Sequence, residues 1–393
     1  FTPDSTQPPT MNIRLSLILL ALLSASGNAA CTEQELPVIV RDDSLSVSLF
    51  SELADQQTGN IAFSPSSLAE VLHLLEQGAA GETLALLREH PMGSLHVRHA
   101  IKPLSANALF VAEDVKLKRD FPQVLRVPFA SAPAEAAADI NDWCDEHTKG
   151  TIPGLISEGS LPSSTRMVAA NALYLKERWL HPFPEGQTQP HPFTRADGSK
   201  VTASMMQADA TLAVAEGRDW QAVALPYAAQ RDGEPTCMVA ILPRGSARDF
   251  AARLTPQKWE SIRAALAAAR PEFTRVSLPD FELRTPAFSL RPALERAGLS
   301  DIFASRANWT GFSDEPMELA DIVQRCYVRV DEEGTEASAA SAGIIVESMP
   351  EEPERELRFD RPFLWVITDL RSSAAPYFMG LVQDPTGPQA ERP

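Results

Sequence analysis

Residues 332–347 read EEGTEASAASAGIIVE, and this stretch strongly limits the fold that the chain can adopt. It contains no proline, and small side chains fill most positions from Gly334 to Gly343 before three β-branched residues follow. Proline would remove hydrogen-bond donors from a strand, so its absence keeps pairing possible. Residues at alternate positions would share one face of a strand, and here they are Thr335, Ala337, Ala339, Ser341, Gly343 and Ile345. The stretch can therefore pair as a strand that needs no large pockets for its side chains up to Gly343.

Length and composition predict a large folded domain. The chain has 393 residues, of which 44% are hydrophobic and 22% charged, so it can bury a sizeable core as one large domain or two ordinary ones. This composition excludes disorder throughout. The formal net charge of −17 and the lack of a basic run exclude a nucleic-acid partner, because binding phosphates requires clustered Lys and Arg.

The N-terminal region predicts export. Residues 1–10 read as an upstream extension, and residues 11–30 read as a signal peptide, with Arg14 before an apolar run and small residues at its end. We therefore expect a secreted, extracellular or periplasmic protein. A lipoprotein anchored through Cys31 is the alternative, although Asn28 stands where a lipoprotein signal prefers a large aliphatic residue.

Catalytic and metal-binding motifs are absent from the sequence. It contains no G-x-S-x-G elbow, phosphate-binding glycine loop, H-E-x-x-H or C-x-x-C pair. His96 and His99 lie three positions apart, but no carboxylate or third histidine is paired with them nearby. Cys144, Cys237 and Cys326 have no metal-like spacing and predict no disulfide framework. We expect no enzyme, metal site or cofactor.

Periodicity predicts mixed helices and strands in one continuous domain. Pro65 to Gln77 is predicted as an amphipathic helix with Ser64 as its N-cap and Gly78 as its stop, and Ala138 to His147 as another helix. Strand-like runs cover 107–111, 169–175, 222–225, 237–242, 275–283, 327–330, 363–368 and 377–382.

Seven motifs occur in the order found in serpins. They are NIAFSPSSLAEVLHLLEQGAAGET, INDWCDEHTKGTIPGLI, AANALYLKERWLHPF, VSLPDFEL, VRVDEEGTEASAASA, FDRPFLWVITD and YFMGLVQDP. The chain therefore resembles the serpin family over residues 45–385, and we predict a serpin domain over 36–387. The resemblance implies an α+β fold with a large mixed β-sheet, two smaller sheets, surrounding helices and an exposed reactive-centre loop at about 332–357. It also identifies a compact member, which we predict to be bacterial.

Suicide inhibition of a serine protease is the activity that this resemblance implies. The protease attacks a bond in the loop, and the freed loop then inserts into the large sheet and traps the acyl-enzyme. The inhibitor itself does no catalysis. The resemblance assigns the hinge of the loop to Glu333, Gly334, Thr335, Glu336, Ala337, Ser338, Ala339, Ala340 and Ser341.

The scissile bond follows from the usual spacing in the family. Counting from Gly334 places it between Ser348 and Met349, whereas counting back from Pro362 leads nearer Glu351. We prefer the first count because insertion depends on the length of the N-terminal arm. The alternatives for the residue that enters the specificity pocket of the protease are Val346, Glu347 and Met349.

The bait residues predict a class of target. A small Ser348 after apolar residues suits an elastase-like or subtilisin-like serine protease, with a cysteine protease as a further class. A trypsin-like target is disfavoured because no Arg or Lys lies between Arg329 and Arg355. With Glu347 as bait, a glutamate-specific protease would be the better guess.

Other positions carry over by resemblance to the region that controls sheet opening. Ser64, Ser67 and Asn171 match polar residues under the centre of the large sheet, and Gln324 replaces a histidine that is usual there. An amide does not titrate near neutral pH, so we expect no pH-sensitive opening at this cluster. Trp179 matches an aromatic residue beneath the point where the loop first inserts.

The sequence is also shorter than is usual for serpins. Only 23 residues separate Thr83 from Asn107, where the family usually has two further helices. The helix that binds heparin in some relatives is largely missing, so we expect no heparin activation. We also expect a monomer. The alternative function is a non-inhibitory serpin that acts as a binding, carrier or chaperone protein. Gly343 is the one hinge-region residue that favours it, because glycine costs strand stability.

Overall fold

The computed structural model describes residues 44–90, 92, 104–152, 154–157, 159–175, 177–231, 234–335, 352–371 and 375–387. All of them belong to one compact unit. The helices are α1 Ser44–Gln56, α2 Pro65–Glu76, α3 Gly81–Glu89, α4 Pro133–His147, α5 Ala247–Ala252, α6 Pro256–Ala268 and α7 Arg291–Leu294. The first nine strands are β1 Ile61–Phe63, β2 Leu104–Ala112, β3 Val124–Val127, β4 Met167–Tyr174, β5 Glu177–Arg178, β6 Gln189–Thr194, β7 Lys200–Glu216, β8 Trp220–Arg231 and β9 Glu234–Pro243. The others are β10 Glu272–Pro279, β11 Phe281–Arg284, β12 Phe288–Ser289, β13 Leu319–Val330, β14 Gly334–Thr335, β15 Arg355–Arg358, β16 Phe363–Asp369 and β17 Phe378–Val382.

An eight-stranded mixed sheet holds the predicted loop base. Its order is β3-β2-β4-β13-β14-β5, and β11 and β12 also pair with β13. At its centre β4 and β13 lie side by side in parallel, from Leu319 opposite Met167 to Tyr327 opposite Tyr174, with one register shift between Leu319 and Asp321. All eight residues of β4 are buried, as expected for a strand covered on both faces. Any strand added between β4 and β13 must first separate this ladder.

A second sheet has nine strands in the order β1-β17-β16-β9-β8-β7-β10-β15, with β6 paired to β7. The 17-residue strand β7 is long enough to serve two groups of strands. Its first part pairs with β6 and β10, and its last part pairs with β8. The predicted α+β fold with a large mixed sheet is confirmed. The two groups of strands that pair with the two parts of β7 correspond to the two smaller sheets of the prediction, and β7 joins them into one sheet.

The sequence signals explain helix α2, which packs beneath the first sheet. The Ser64 hydroxyl accepts the Ser67 N–H at 3.3 Å, and proline occupies the first turn, where a missing N–H costs nothing. Its stripe of apolar side chains is buried against the core: Leu68, Val71, Leu72 and Leu75. The helix ends at Glu76, close to the predicted stop at Gly78, where an added Cβ would overlap the Phe312 ring.

Most other predicted elements lie within observed ones. Helix α4 begins at Pro133, five residues before the predicted start. The predicted run 275–283 is two strands, β10 and β11, separated at Asp280. The ends of the predicted loop 332–357 are also strands: Gly334–Thr335 pairs with β13 and β5, and Arg355–Arg358 pairs with β10. Backbone pairing is available at both ends, which the sequence alone did not reveal.

Candidate functional site

The base of the predicted loop is already part of the first sheet. Thr335 pairs with Val330 of β13 on one side and with Glu177 of β5 on the other. Gly334 pairs with Arg178, and both Gly334 and Thr335 are buried. The described residues that precede position 336 therefore already form a short strand between β13 and β5.

A tight turn leads into this short strand. One carboxylate oxygen of Asp331 accepts the N–H groups of Glu333 at 3.1 Å and Gly334 at 3.2 Å. The Asp331 N–H donates to the Gly334 carbonyl at 2.9 Å. Burial raises the pKa of Asp331, although these N–H groups and the nearby Arg329 act in the opposite direction. The turn thus depends on an ionisable group in a partly desolvated position.

Two aromatic side chains fix the position of Thr335. The Tyr227 hydroxyl shares a 2.7 Å hydrogen bond with the Thr335 hydroxyl, and both residues are fully buried. Trp179 stacks on Tyr227 with ring centroids 4.6 Å apart and an 8° angle between the planes. The Trp179 indole donates to the Asp331 carbonyl at 3.0 Å, and its backbone N–H donates to the Glu333 carbonyl at 2.9 Å. Trp179 therefore contacts both the turn and the ring that holds the hinge.

Polar side chains fill the space beneath the sheet centre. In the parallel ladder Asn171 lies opposite Gln324, and helix α2 brings Ser64 and Ser67 to the same place. The Gln324 amide donates to the Asn171 side chain at 2.5 Å and to the Ser64 carbonyl at 3.0 Å. Its oxygen accepts the Ser64 N–H at 2.9 Å, and Asn171 donates to the Ser67 hydroxyl at 2.6 Å. These bonds connect the two central strands to each other and to the helix below.

The other end of the loop belongs to the second sheet. Strand β15 lies at the edge of that sheet and pairs in parallel with β10, from Arg355 opposite Thr274 to Arg358 opposite Ser277. Arg355 also forms a 2.6 Å ion pair with Glu272. Residues 336–351 connect β14 to the segment that leads into β15, so the intact loop is tied to two different sheets.

The described residues provide neither a metal centre nor a membrane span. They bring together no group of three or more His, Cys, Asp and Glu side chains that could hold a metal ion. Within the same ranges, no helix has the length and hydropathy needed to cross a bilayer. Cys144, Cys237 and Cys326 are buried free thiols, and burial raises the pKa of each, to about 11 for Cys144.

A family model described as Serpin (serine protease inhibitor) matches residues 41–385 of the chain. The chain belongs to the serpin family. An uncharacterised serpin-like protein of Thermococcus kodakarensis is 30% identical, with 90% of this chain and 87% of the relative covered. Bovine plasminogen activator inhibitor 1 is 29% identical, with 93% and 97% covered, and bovine leukocyte elastase inhibitor is 29% identical, with 86% and 97% covered. In crystal form, serpin-12 of Manduca sexta is 27% identical with a TM-score of 0.73, covering 88% of this chain and 99% of its own. Serpins are protease inhibitors rather than enzymes.

The structure brings together four of the five residues that were assigned to sheet opening in this serpin. Ser64, Ser67, Asn171 and Gln324 form one hydrogen-bonded cluster. Trp179 lies apart from them, beside the loop base. Their role in opening stays a prediction. Of the predicted hinge, Glu333, Gly334 and Thr335 are described, whereas residues 336–341 and the bait candidates at 346–349 lie outside the described residues, as do His96, His99, Cys31 and the predicted signal peptide.

Sequence reasoning missed four residues that belong to these sites. Asn107 on β2 accepts from Asn171 at 2.5 Å, and its amide donates to the Glu70 carboxylate, whose pKa is raised by burial. Tyr227 and Asp331 hold the hinge. Asn107 interrupts an apolar strand pattern and Glu70 follows Ser67 by three positions on α2, so these two residues carried a weak signal. Tyr227 carried none, because its partner is distant in the sequence.

Proposed function

We propose that this serpin inhibits serine proteases by inserting its cleaved loop between β4 and β13. One observation carries the proposal: Thr335 is already paired between β13 and β5, at the end of the central ladder. Loop insertion therefore has a formed starting point in the intact chain. The small side chains that follow in the sequence, up to Gly343, would extend this strand without needing new pockets.

The strand directions are compatible with such insertion. Strand β14 is antiparallel to β13 and β5, and β4 is parallel to β13. A strand that continues from Thr335 along β13 would therefore be antiparallel to both of its new neighbours. Antiparallel pairs are slightly more stable per residue than parallel ones. Insertion would replace one parallel ladder with two antiparallel ladders. Both the type and the number of strand pairs therefore favour it.

The energy available from insertion can be bounded. Opening the centre of the sheet loses one ladder, and insertion of about a dozen residues forms two. The net gain is about ten backbone hydrogen bonds at ~0.5–1.5 kcal/mol each, which amounts to on the order of ten kcal/mol. The intact loop is held by β14 at one end and by β15 at the other, so it cannot collect this energy until one connection is cut.

Covalent chemistry would come from the protease. Its serine attacks the scissile carbonyl, the peptide bond breaks, and the new C-terminus of the arm is left esterified to the serine. Insertion of the arm then moves the protease away before water can complete hydrolysis. The described residues of the inhibitor supply only the sheet that accepts the arm.

A scissile bond between Ser348 and Met349 would suit an elastase-like or subtilisin-like target, because the small Ser348 would then enter the specificity pocket of the protease. The names of two relatives, plasminogen activator inhibitor 1 and leukocyte elastase inhibitor, support protease inhibition in general. Val346, Glu347 and Met349 stay as alternatives for the bait residue. A cysteine protease would form a thioester in the same way and is the second class to test.

Incubation with elastase-like, subtilisin-like and trypsin-like proteases, followed by a denaturing gel, tests the proposal. We expect a covalent complex with one of the first two classes, and mass analysis of the released C-terminal fragment identifies the bait. Thr335→Arg should abolish the complex, because this side chain is fully buried between strands. Ala339→Arg tests the same face without changing a residue of the docked base, and Glu336→Arg is the matched control because alternation places it on the opposite face.

Cleavage of the loop without any covalent complex would contradict inhibition and favour the carrier or chaperone alternative. Retained trapping by both Thr335→Arg and Ala339→Arg would contradict the insertion mechanism.

We also propose export, on the basis of the signal-like residues 11–30. The mass of the protein recovered from outside the cytoplasm of its own cells checks this. Cleavage before Cys31 without added mass supports secretion, and an added diacylglycerol mass on Cys31 supports lipid anchoring. Recovery of the uncleaved chain from the cytoplasm would contradict both.

A further inference from the structure

A small acidic cavity lies next to the base of the loop. Its volume is about 160 Å³, and the described residues that line it are Asp280, Phe281, Glu282, Arg329, Val330, Asp331 and Pro385. Three of these are acids and one is a cation. The cavity is bordered by β11, by the end of β13 and by the turn that leads into β14.

Asp280 is the acid in this cavity with the least compensated charge. Burial and the nearby carboxylates of Glu332 and Asp331 raise its pKa to about 6, while Arg329 acts in the opposite direction. Arg329 also forms a 3.5 Å ion pair with Asp331, so its charge is shared. Since the two repelling acids both belong to the turn, ionised Asp280 acts on the turn itself.

The remaining charged groups around the cavity have other partners. Glu282 forms a 2.6 Å ion pair with Arg284 on the same strand. Pro385 follows Asp384, which forms a 2.5 Å ion pair with Arg195. None of these four charged residues, Glu282, Arg284, Asp384 and Arg195, is among the groups that shift the pKa of Asp280. Burial is the largest cause of the raised pKa of Asp280, and Glu332, Arg329 and Asp331 are the charged groups that add to it or oppose it.

The repelled residues hold the hinge in place. The Asp331 carboxylate accepts two N–H groups of the turn, and the Trp179 indole donates to the Asp331 carbonyl. The Glu332 carbonyl accepts the Phe183 N–H at 2.8 Å, and its carboxylate accepts the Thr188 hydroxyl at 2.8 Å. Displacement of either acid would weaken contacts that keep the following Thr335 docked.

We propose that Asp280 is a pH-dependent control on the docking of the loop base. Ionised Asp280 repels Glu332 and Asp331 and loosens the turn, whereas protonated Asp280 leaves the turn closed and Thr335 docked. A loosened turn frees Thr335 and lets the loop extend further from the sheet. An effect of this change on protease trapping rests on the proposed function, whereas the docking equilibrium of Thr335 does not.

The pH range follows from the sign of the shift. A carboxyl whose pKa is raised in the docked state stabilises that state at low pH, and the stabilisation is lost as pH rises through about 6. The shift from 3.8 to about 6 sets an upper limit of about 100-fold on the change in the docking equilibrium. Asp280 is partly exposed, and solvent screening reduces the expected change to roughly tenfold.

Hydrogen exchange of the peptide that contains residues 331–335 tests the inference on the full chain. Rates are measured at about pH 5 and about pH 7.5 and divided by the intrinsic rate at each pH. We expect several-fold greater protection at the lower pH, because a pH of about 5 lies about one unit below the pKa of Asp280 and this distance limits the change to about tenfold before screening. In Asp280→Asn the protection should be high at both pH values, because the amide is neutral and of the same shape.

Two further variants sharpen this test. Glu332→Gln removes one repelling charge, so the pH midpoint should move below that of the unsubstituted protein. Asp314→Asn is the control, because Asp314 lies on the surface with its side chain 86% exposed and paired to Lys118. It should keep the pH dependence unchanged.

Equal protection of the unsubstituted protein at both pH values would overturn the inference, as would an unchanged pH dependence in Asp280→Asn. Protease trapping is measured separately at about pH 7.5. If protection from hydrogen exchange depends on pH but no protease is trapped, the proposed function alone is contradicted. If a protease is trapped but the protection does not depend on pH, this inference alone is contradicted.

Discussion

At the scale of single residues, the base of the loop shows how little freedom two positions have. A Cβ on Gly334 would overlap the backbone of Glu177 and Arg178 on β5. The side chain of the next residue, Thr335, is fully buried and has its hydroxyl bonded to Tyr227. Burial raises the pKa of Tyr227, so this phenol stays neutral and keeps its proton for the hydrogen bond. The docked base thus demands a residue without a side chain followed by one of defined shape.

We predict that Gly334→Ala displaces the loop base from the sheet. The added methyl group collides with backbone, which cannot move aside as a flexible side chain can. Hydrogen exchange over residues 331–335 should rise several-fold, and stability in urea should fall by about 1–3 kcal/mol. The control is Gly186→Ala, because nothing lies within 4 Å of a Cβ at that position. Equal effects of the two substitutions would contradict the prediction.

We predict that Tyr227→Phe weakens docking through the loss of one buried hydrogen bond. The Thr335 hydroxyl would then be left unsatisfied, at a cost of about 1–3 kcal/mol. Thr335→Val removes the same bond from the other side while it keeps the branched shape. Urea unfolding of both single variants and the double variant gives the coupling energy, which should be about 1 kcal/mol. A coupling near zero would show that the hydroxyls do not interact in solution.

At the scale of elements, the central ladder and the cluster beneath it act together. No short loop joins β4 to β13, because the two strands lie far apart in the sequence. The stability of this pair therefore depends on backbone hydrogen bonds and on side chains that link both strands. Gln324 of β13 bonds to Asn171 of β4 and to Ser64 before α2. Separation of the strands must break the first of these contacts, so the cluster sets part of the resistance to insertion.

We predict that Gln324→Met destabilises the protein by about 2–4 kcal/mol in urea. The methionine has a similar length but leaves the Asn171 oxygen and both backbone groups of Ser64 without this partner in a buried site. Gln189→Met on the exposed strand β6 is the matched control and should change stability little. A similar loss in both variants would argue against a special role for the cluster.

At the scale of the whole molecule, one segment connects two sheets. The chain leaves the first sheet at β14 and joins the second at β15, and the intervening residues include every bait candidate. We propose that this connection, while intact, prevents the chain from adopting the form with more strand pairing. The formal net charge of −17 adds repulsion towards polyanions over the surface as a whole.

We predict that one cut in the loop raises the melting temperature by about 15 °C or more, since on the order of ten kcal/mol of pairing becomes available. Limited proteolysis followed by differential scanning fluorimetry measures this. The same cut in Ala339→Arg should give no rise, because a long cation on the inward face blocks the new strand. A lower melting temperature after cleavage of the unsubstituted chain would contradict loop insertion.

We predict that heparin leaves the rate of protease inhibition unchanged. Polyanion binding needs clustered cations, and the short sequence between Thr83 and Asn107 offers no such cluster. Stopped-time inhibition assays with and without heparin check this. Acceleration that disappears at high salt would show a cationic heparin site and contradict the prediction.

The sequence by itself determined the family, the mixed fold and the polar residues beneath the sheet. These rest on local patterns: the apolar stripe of α2, the strand runs of β4 and β13, and the small-residue hinge. It also predicted where the reactive-centre loop lies, because a long run of small residues cannot form a core of its own.

Only the tertiary structure decided that Thr335 is docked, that Tyr227 and Trp179 hold it, and that Asp280 lines the same cavity as Asp331. It also decided that both ends of the loop are strands and that β7 joins the two smaller sheets. Each of these depends on pairs that are distant in the chain. Residue patterns report which face of a strand is buried, but the identity of the neighbour is fixed only when the strands pair.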